Sequence, residues 1–136
     1  MNSRIKEIRE MFLVFDDPMD KYIQIIELGK KNKGITNENK NNSNKIFGCA
    51  SLAWVIVKKN NNTYNISIDS DTFIVKGLLS ILKYLIDGST IKQINTLDIK
   101  SLLCEIGLDN SITSQRTNGF LSALTKINEE IRKLND

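Results

Sequence analysis

Cys49 is the residue in this chain best placed to do chemistry. It stands in the heptapeptide Gly48-Cys49-Ala50-Ser51-Leu52-Ala53-Trp54, between a glycine and an apolar run. The glycine opens backbone shapes closed to other residues, and Ala50 leaves little bulk beside the sulfur. A thiol on such a turn can be offered to a large reactant or turned into an apolar pocket. The same position also suits a small buried residue at a strand edge, because free cysteine is among the most buried residue types. The chain holds no histidine, so both the usual base for a cysteine nucleophile and the usual nitrogen ligand for a metal are missing. What remains is sulfur chemistry that draws on a partner.

The other chemistry-bearing side chains are weaker candidates. Cys104 lies between Leu103 and Glu105, beside the apolar stripe Ile99, Leu102, Leu103 and Ile106, and is expected to be inert and partly buried; the alternative is a resolving thiol for Cys49. Asp69 and Asp71 sit two apart at a strand-to-helix junction, where capping and solvation explain them better than acid–base work. Trp54, among apolar neighbours, reads as a sheet-core residue. Lys58 and Lys59 read as a solvated strand edge that can still meet an acidic surface.

Helices and a small sheet must position these groups. Ile5, Ile8, Met11 and Phe12 recur at helical spacing over residues 3–14. Pro18 suits the first turn of a second helix carrying Tyr22, Ile25, Ile26 and Gly29 and ending at Lys30-Lys31. Residues 32–44 are polar and read as a solvated, mobile loop. Ile46-Phe47 reads as a short strand, residues 52–59 as a central one, and Tyr64, Ile66 and Ile68, alternating with polar residues, as a third. Cys49 then occupies the tip between the first two strands. Ser70-Asp71 opens the longest apolar helix, with Ile74, Val75, Leu78, Leu82, Leu85 and Ile86 in its stripe and Gly88 as its stop. A short helical piece at 90–95, a helix from Asp98 to Gly107 and a last helix striped by Phe120, Leu124, Ile127, Ile131 and Leu134 complete the pattern. The expectation is one α+β domain over residues 1–136, a three-stranded antiparallel sheet packed against helices from both ends of the chain.

At 136 residues the chain can bury one core without disulfide staples. Its 19 Lys and Arg against 16 Asp and Glu are spread along the sequence, a poor footprint for nucleic acid. No apolar run approaches the roughly 20 residues of a membrane span, and the first residues lack the apolar region of an export signal. The expectation is a soluble cytoplasmic protein with two free thiols. Abundant Asn and Ile with a single proline are what an A+T-rich genome produces, a hint of a reduced bacterial one.

Gly48-Cys49-x-Ser51-x-x-Trp54 resembles the signature of the SufE family, sulfur acceptors that work with cysteine desulfurases in iron–sulfur cluster assembly. The resemblance continues in order with Tyr22 and Ile26-Glu27-Leu28-Gly29-Lys30, then Asn44-Lys45-Ile46. It extends through Asp69-Ser70-Asp71 and Ile74-Val75-Lys76-Gly77-Leu78-Leu79 to Arg116-x-Asn118-Gly119, placed ahead of the last helix. Ala50 and Ala53, in place of the Gln and Val of many relatives, and Ser114-Gln115, in place of Pro-Ser, depart from the pattern without touching the thiol or the arginine.

The resemblance implies that Cys49 takes the outer sulfur of a persulfide on a SufS-like desulfurase, stimulates that enzyme, and passes the sulfur to a SufB-type scaffold. A free cysteine titrates near 8.5, so such an acceptor needs a cation or N–H donor nearby; Arg116 is the candidate for supporting the thiolate or the loop, with a purely structural surface role as its alternative. The pyridoxal phosphate belongs to the desulfurase, so no cofactor and no metal are expected on this chain. No nucleic acid or membrane partner is implied, and self-pairing as a homodimer is left open, as is whether the chain counts as an enzyme. Two other readings stand beside this one: an iron–sulfur cluster scaffold of the IscU type, and a non-catalytic interaction module with a structural Cys49.

Overall fold

In the computed structural model, which describes residues 1–135, the polar turn after Asn60 reverses the chain with Asn61 in a left-handed backbone (φ 56°). The turn joins β1 (Ala53–Asn60) to β2 (Thr63–Ser70) in an antiparallel pair, with Val55 opposite Ile68 and Val57 opposite Ile66. Strand alternation sends Ala53, Val55, Val57, Tyr64, Ile66 and Ile68 to one face, where all are buried in the core. A third strand, β3 (Ser89–Thr90), pairs antiparallel with the start of β2, so the sheet order is β1-β2-β3.

Helices from both ends of the chain cover this sheet. They are α1 (Asn2–Leu13) and α2 (Pro18–Lys31) before it, then α3 (Phe73–Ile86), α4 (Ile91–Asn95), α5 (Ile99–Glu105) and α6 (Ser114–Leu134). Asp17 caps α2 by accepting from the Met19 N–H at 2.9 Å, with Pro18 at the first helical position. The central helix is α3. Its Leu82 and Leu85 are fully buried, and burial of each side chain contributes about 1.5–3 kcal/mol. It ends where Gly88, at φ 78°, donates its N–H to the Tyr64 carbonyl and turns the chain into β3.

Two glycines let α2 and α3 cross at backbone contact. A Cβ on Gly77 would stand 1.9 Å from the Ile25 carbonyl oxygen, and one on Gly29 would stand 2.2 Å from that of Phe73. The α+β class holds, but the strand inventory differs from the expectation. The Ile46-Phe47 segment makes only an isolated bridge, Lys45 to Trp54, because Gly48 (φ 89°) turns the chain away immediately afterwards. The third strand is instead Ser89–Thr90, too short to show period-two alternation. Thr90 also caps α4 with a Gln93 capping box, which is the signal that makes this stretch look helical.

Polar composition predicts free motion for the loop at 32–44; the structure ties it down. Asp69 is buried, accepts from the Ile35 N–H at 3.0 Å and the Ser70 N–H at 2.8 Å, and pairs with Lys40 (3.3 Å) and Lys76 (3.4 Å). Its Cα partner across the sheet is Trp54, and Lys40 lies 5.5 Å from the Trp54 ring centroid. Trp54 is therefore buried, but away from the main core cluster, on the sheet face roofed by the loop. At the loop's far end Lys126 of α6 donates to the Ser43 carbonyl at 2.7 Å.

Burial pushes the Asp69 carboxyl up, but the hydrogen bonds from Ile35 and Ser70 and the charges of Lys76 and Lys40 outweigh it and hold the pKa below the usual 3.8. A group with a depressed folded pKa stabilises the fold fully above its unfolded value and progressively less as pH falls through the folded one. Fluorescence of Trp54, the only tryptophan, should stay level from neutral pH down to about 4 and change below it. Asp69→Asn should show the altered signal already at neutral pH, with about 1–3 kcal/mol lost. Identical acid profiles for the two proteins would show that Asp69 is not the latch.

Candidate functional site

Cys49 sits half-buried on a turn pinned on both sides. Ahead of it, Gly48 lies against α6, where a Cβ would come within 2.7 Å of the Ser122 hydroxyl. Behind it, the Leu52 carbonyl accepts from the Ser70 hydroxyl (2.7 Å) and the Asp71 N–H (3.0 Å), and the Thr72 hydroxyl bonds that of Ser51 at 3.1 Å. Ser70 thus holds the cysteine turn. Thr72, not Ser70 or Asp71, is the residue flanking α3, and it makes no side-chain cap bond.

The sulfur points at α6. A Cβ added to buried Gly119 would stand 3.1 Å from Cys49 Sγ, so the helix has a notch where the thiol rests. Beside it opens a cavity of about 40 Å³, walled in part by Ile46, Val75, Leu79 and Phe120, with Cys49 and Arg116 both on its lining. Arg116 lies within the first turn of α6, not ahead of the helix as expected; its N–H bonds the Thr113 cap hydroxyl at 3.3 Å. Its guanidinium stacks on Tyr22 (5.8 Å to the centroid) and donates one Nη to the Tyr22 hydroxyl at 3.4 Å. The Nε–H is buried and meets no acceptor among the described residues. An unspent buried cationic donor is costly unless an anion or water completes it.

The remaining candidates are dispersed. Cys104, expected to be partly buried, is exposed: on the short α5 it falls on the side away from Leu102 and Leu103, which take the core. Asp71 is exposed and Asp69 is committed to the loop, so the two carboxylates do not converge. Lys58 and Lys59 are exposed at the end of β1. Among the described residues no group of three or more His, Cys, Asp or Glu side chains is close enough to hold a metal ion, and no helix is long and apolar enough to cross a membrane.

Sequence reasoning did not give Gly119 its contact with the sulfur. The signal was weak: a glycine just ahead of Phe120 reads as readily as a helix boundary as it does as a close approach. The depth of Asp69 left no such trace, since a strand-end Asp usually faces water.

Comparison with known proteins identifies the family and the fold. A family profile described as SufE, Fe–S metabolism associated domain, matches residues 6–131. An uncharacterised SufE-like protein of Rhizobium etli is 33% identical over 96% of this chain and 90% of its own length. The cysteine desulfuration protein SufE of Wigglesworthia glossinidia brevipalpis is also 33% identical, over 93% of this chain and 89% of its own. The solution structure of a hypothetical protein from Thermus thermophilus superposes with a TM-score of 0.77 over 98% of this chain and 97% of that one at 15% identity, which establishes a shared fold. With the profile spanning nearly all of the residues that build the sheet, the cysteine turn and the α6 notch, the chain belongs to the SufE family.

Proposed function

We propose that this chain is a cytoplasmic sulfur acceptor for a SufS-like cysteine desulfurase, with Cys49 as the group that carries the sulfur. The Cys49 thiolate attacks the outer sulfur of the desulfurase persulfide; a new S–S bond forms at Cys49, the old one breaks, and the desulfurase cysteine leaves as a thiolate able to take a proton. No net oxidation occurs. The loaded sulfur then passes by the same exchange to a SufB-type scaffold, and removal of the product persulfide accelerates the desulfurase.

The observation that carries this reading is the half-buried thiol beside a cavity with spare room whose lining also includes Arg116. A terminal persulfide sulfur is anionic at neutral pH, and the Arg116 guanidinium group on the same cavity wall supplies the opposite charge. The apolar walls would keep stray thiols and oxidants from it. Around the turn, Phe47 (65% exposed), Leu52 (45%) and Phe73 (52%) present apolar surface to solvent. Lys45 lies over the Phe47 ring at 5.2 Å and Lys30 over that of Phe73 at 5.9 Å. An apolar patch rimmed by cations fits a partner docking over the cysteine turn.

The IscU-type scaffold reading finds one thiol in this region where a cluster needs several ligands. The non-catalytic module reading leaves the cavity and the free Arg116 donor without a purpose. The discriminating experiment measures alanine release by a SufS-type desulfurase with cysteine as substrate, with and without this protein. Turnover rises if the chain accepts the sulfur. Unchanged turnover at saturating concentration would remove the proposal.

A further inference from the structure

The sheet ends at β1, and half of that edge is open. Successive residues of a strand send their N–H and C=O groups to opposite sides. In β1 the Val55 N–H donates to the Asn44 carbonyl at 2.9 Å and the Ala53 carbonyl accepts from the Ile46 N–H at 2.8 Å, so the odd-numbered residues face away from β2. The chain's own segment covers this side only as far as Val55, because the Asn44 N–H bends back to the Asn41 carbonyl at 3.2 Å. Beyond it, the N–H and C=O groups of Val57 and Lys59 meet no backbone partner among the described residues. Ile56 is half-buried and Lys58, Lys59 and Asn60 are exposed, so water reaches the stretch.

Unpaired strand groups are a template for a further strand, and charge decides which strand fits. β1 carries Lys58 and Lys59 and no acidic residue. On the flank of α6 that reaches Ser43 through Lys126, the acid is Glu130, already paired with Lys126 at 2.8 Å and Lys133 at 3.3 Å. A second copy of this chain, pairing antiparallel about Val57, would crowd both Lys58 side chains and both Lys59 side chains onto one short ladder, which like-charge repulsion opposes. We propose that the open half of β1 docks an extended, acidic segment of a partner protein. That segment adds a fourth strand through the backbone of Val57 and Lys59 and is selected by the charges of Lys58 and Lys59. From Ala53 to Lys59 the strand rises roughly 20 Å, which sets this edge apart from the cysteine turn. A partner held there leaves Cys49 free to react, and the docking does not depend on the acceptor reading.

The test uses the full chain, labelled with 15N, and the probe peptide acetyl-(Glu-Val)3-amide, which in an extended form puts its acids on one face and its apolar residues on the other. In the unbound protein the Val57 and Lys59 amides should exchange freely with solvent; at saturating peptide they should slow by at least about tenfold. Lys59→Pro deletes an edge N–H without touching the ladder to β2, and should weaken binding roughly tenfold more than Lys59→Ala, which deletes the charge alone. Against the parent protein, the same peptide N-methylated at every residue keeps its charges and cannot form a ladder, so it should not bind; nor should acetyl-(Lys-Val)3-amide. No binding at millimolar peptide, binding that leaves both amides exchanging as before, or equal affinity for the N-methylated peptide would each overturn the proposal. So would a dimer in sedimentation with both amides already protected, which would give the edge to a second copy.

Discussion

Cys49→Ser should take up no sulfur and should fail to raise desulfurase turnover, yet should still bind the desulfurase with near-parent affinity. The hydroxyl is close in size to the thiol, so the turn held by Gly48, Ser51 and Leu52 keeps its bonds to Ser70, Asp71 and Thr72, and stability should change by no more than about 1 kcal/mol. Serine cannot form the S–S bond on which transfer depends, so the loss is complete. Binding survives because the apolar surface of Phe47, Leu52 and Phe73 is untouched. The measurement pairs desulfurase turnover with calorimetric binding. Stimulation that persists without the thiol would mean the chain activates its partner by contact alone.

Gly77→Ala should be the most damaging single substitution away from the site. The new Cβ would lie 1.9 Å from the Ile25 carbonyl oxygen, 2.7 Å from its carbon and 2.8 Å from its Cγ2. The first two are backbone atoms of α2 and cannot rotate aside. Helix propensity favours alanine by about 1 kcal/mol, but overpacking of this kind costs typically 1–3 kcal/mol and occasionally more. With rigid backbone as the obstacle the upper end applies. A net loss of at least about 2 kcal/mol follows, which in a chain of this length lowers Tm by roughly 8 °C or more. Thermal unfolding followed by circular dichroism checks this, and an unchanged or raised Tm would show that α2 and α3 do not need their backbone contact.

Much of this architecture is legible in the sequence. The stripes on α1, α2, α3 and α6 are strongly periodic, and their caps and stops stand in plain view: Asp17-Pro18 at the start of α2, Gly88 after α3 and Gly107 after α5. The β1–β2 pair follows from alternation on either side of the asparagine turn. What escapes is short or non-local. Ser89–Thr90 is too brief for a pattern, and the Ile46-Phe47 segment loses its strand because one glycine turns it away after a single bridge. Ser70 carries a capping residue's identity but spends its hydroxyl on the cysteine turn 18 residues upstream.

The site divides along the same line. Cys49 stands out because a glycine beside a lone thiol is a local signal, and Arg116 emerges through the family resemblance. Their sharing of one cavity depends on α6 packing against β1, which no local pattern encodes. The same holds for Gly119 beneath the sulfur and for Asp69, which joins the loop, β2 and α3 through charges far apart in the chain. Cys104 defeats a reading by periodicity because α5 is barely two turns long, so a small rotation decides which side of it meets water.

The central claim, that Cys49 carries sulfur between proteins, is tested most directly by mass. The chain is incubated with a SufS-type desulfurase and cysteine, separated without reductant, alkylated, digested and weighed peptide by peptide. The account predicts one additional sulfur, about 32 Da, on the peptide containing Cys49 and none on the peptide containing the more exposed Cys104. Sulfur found only on Cys104, or on neither peptide while the desulfurase turns over, would contradict it.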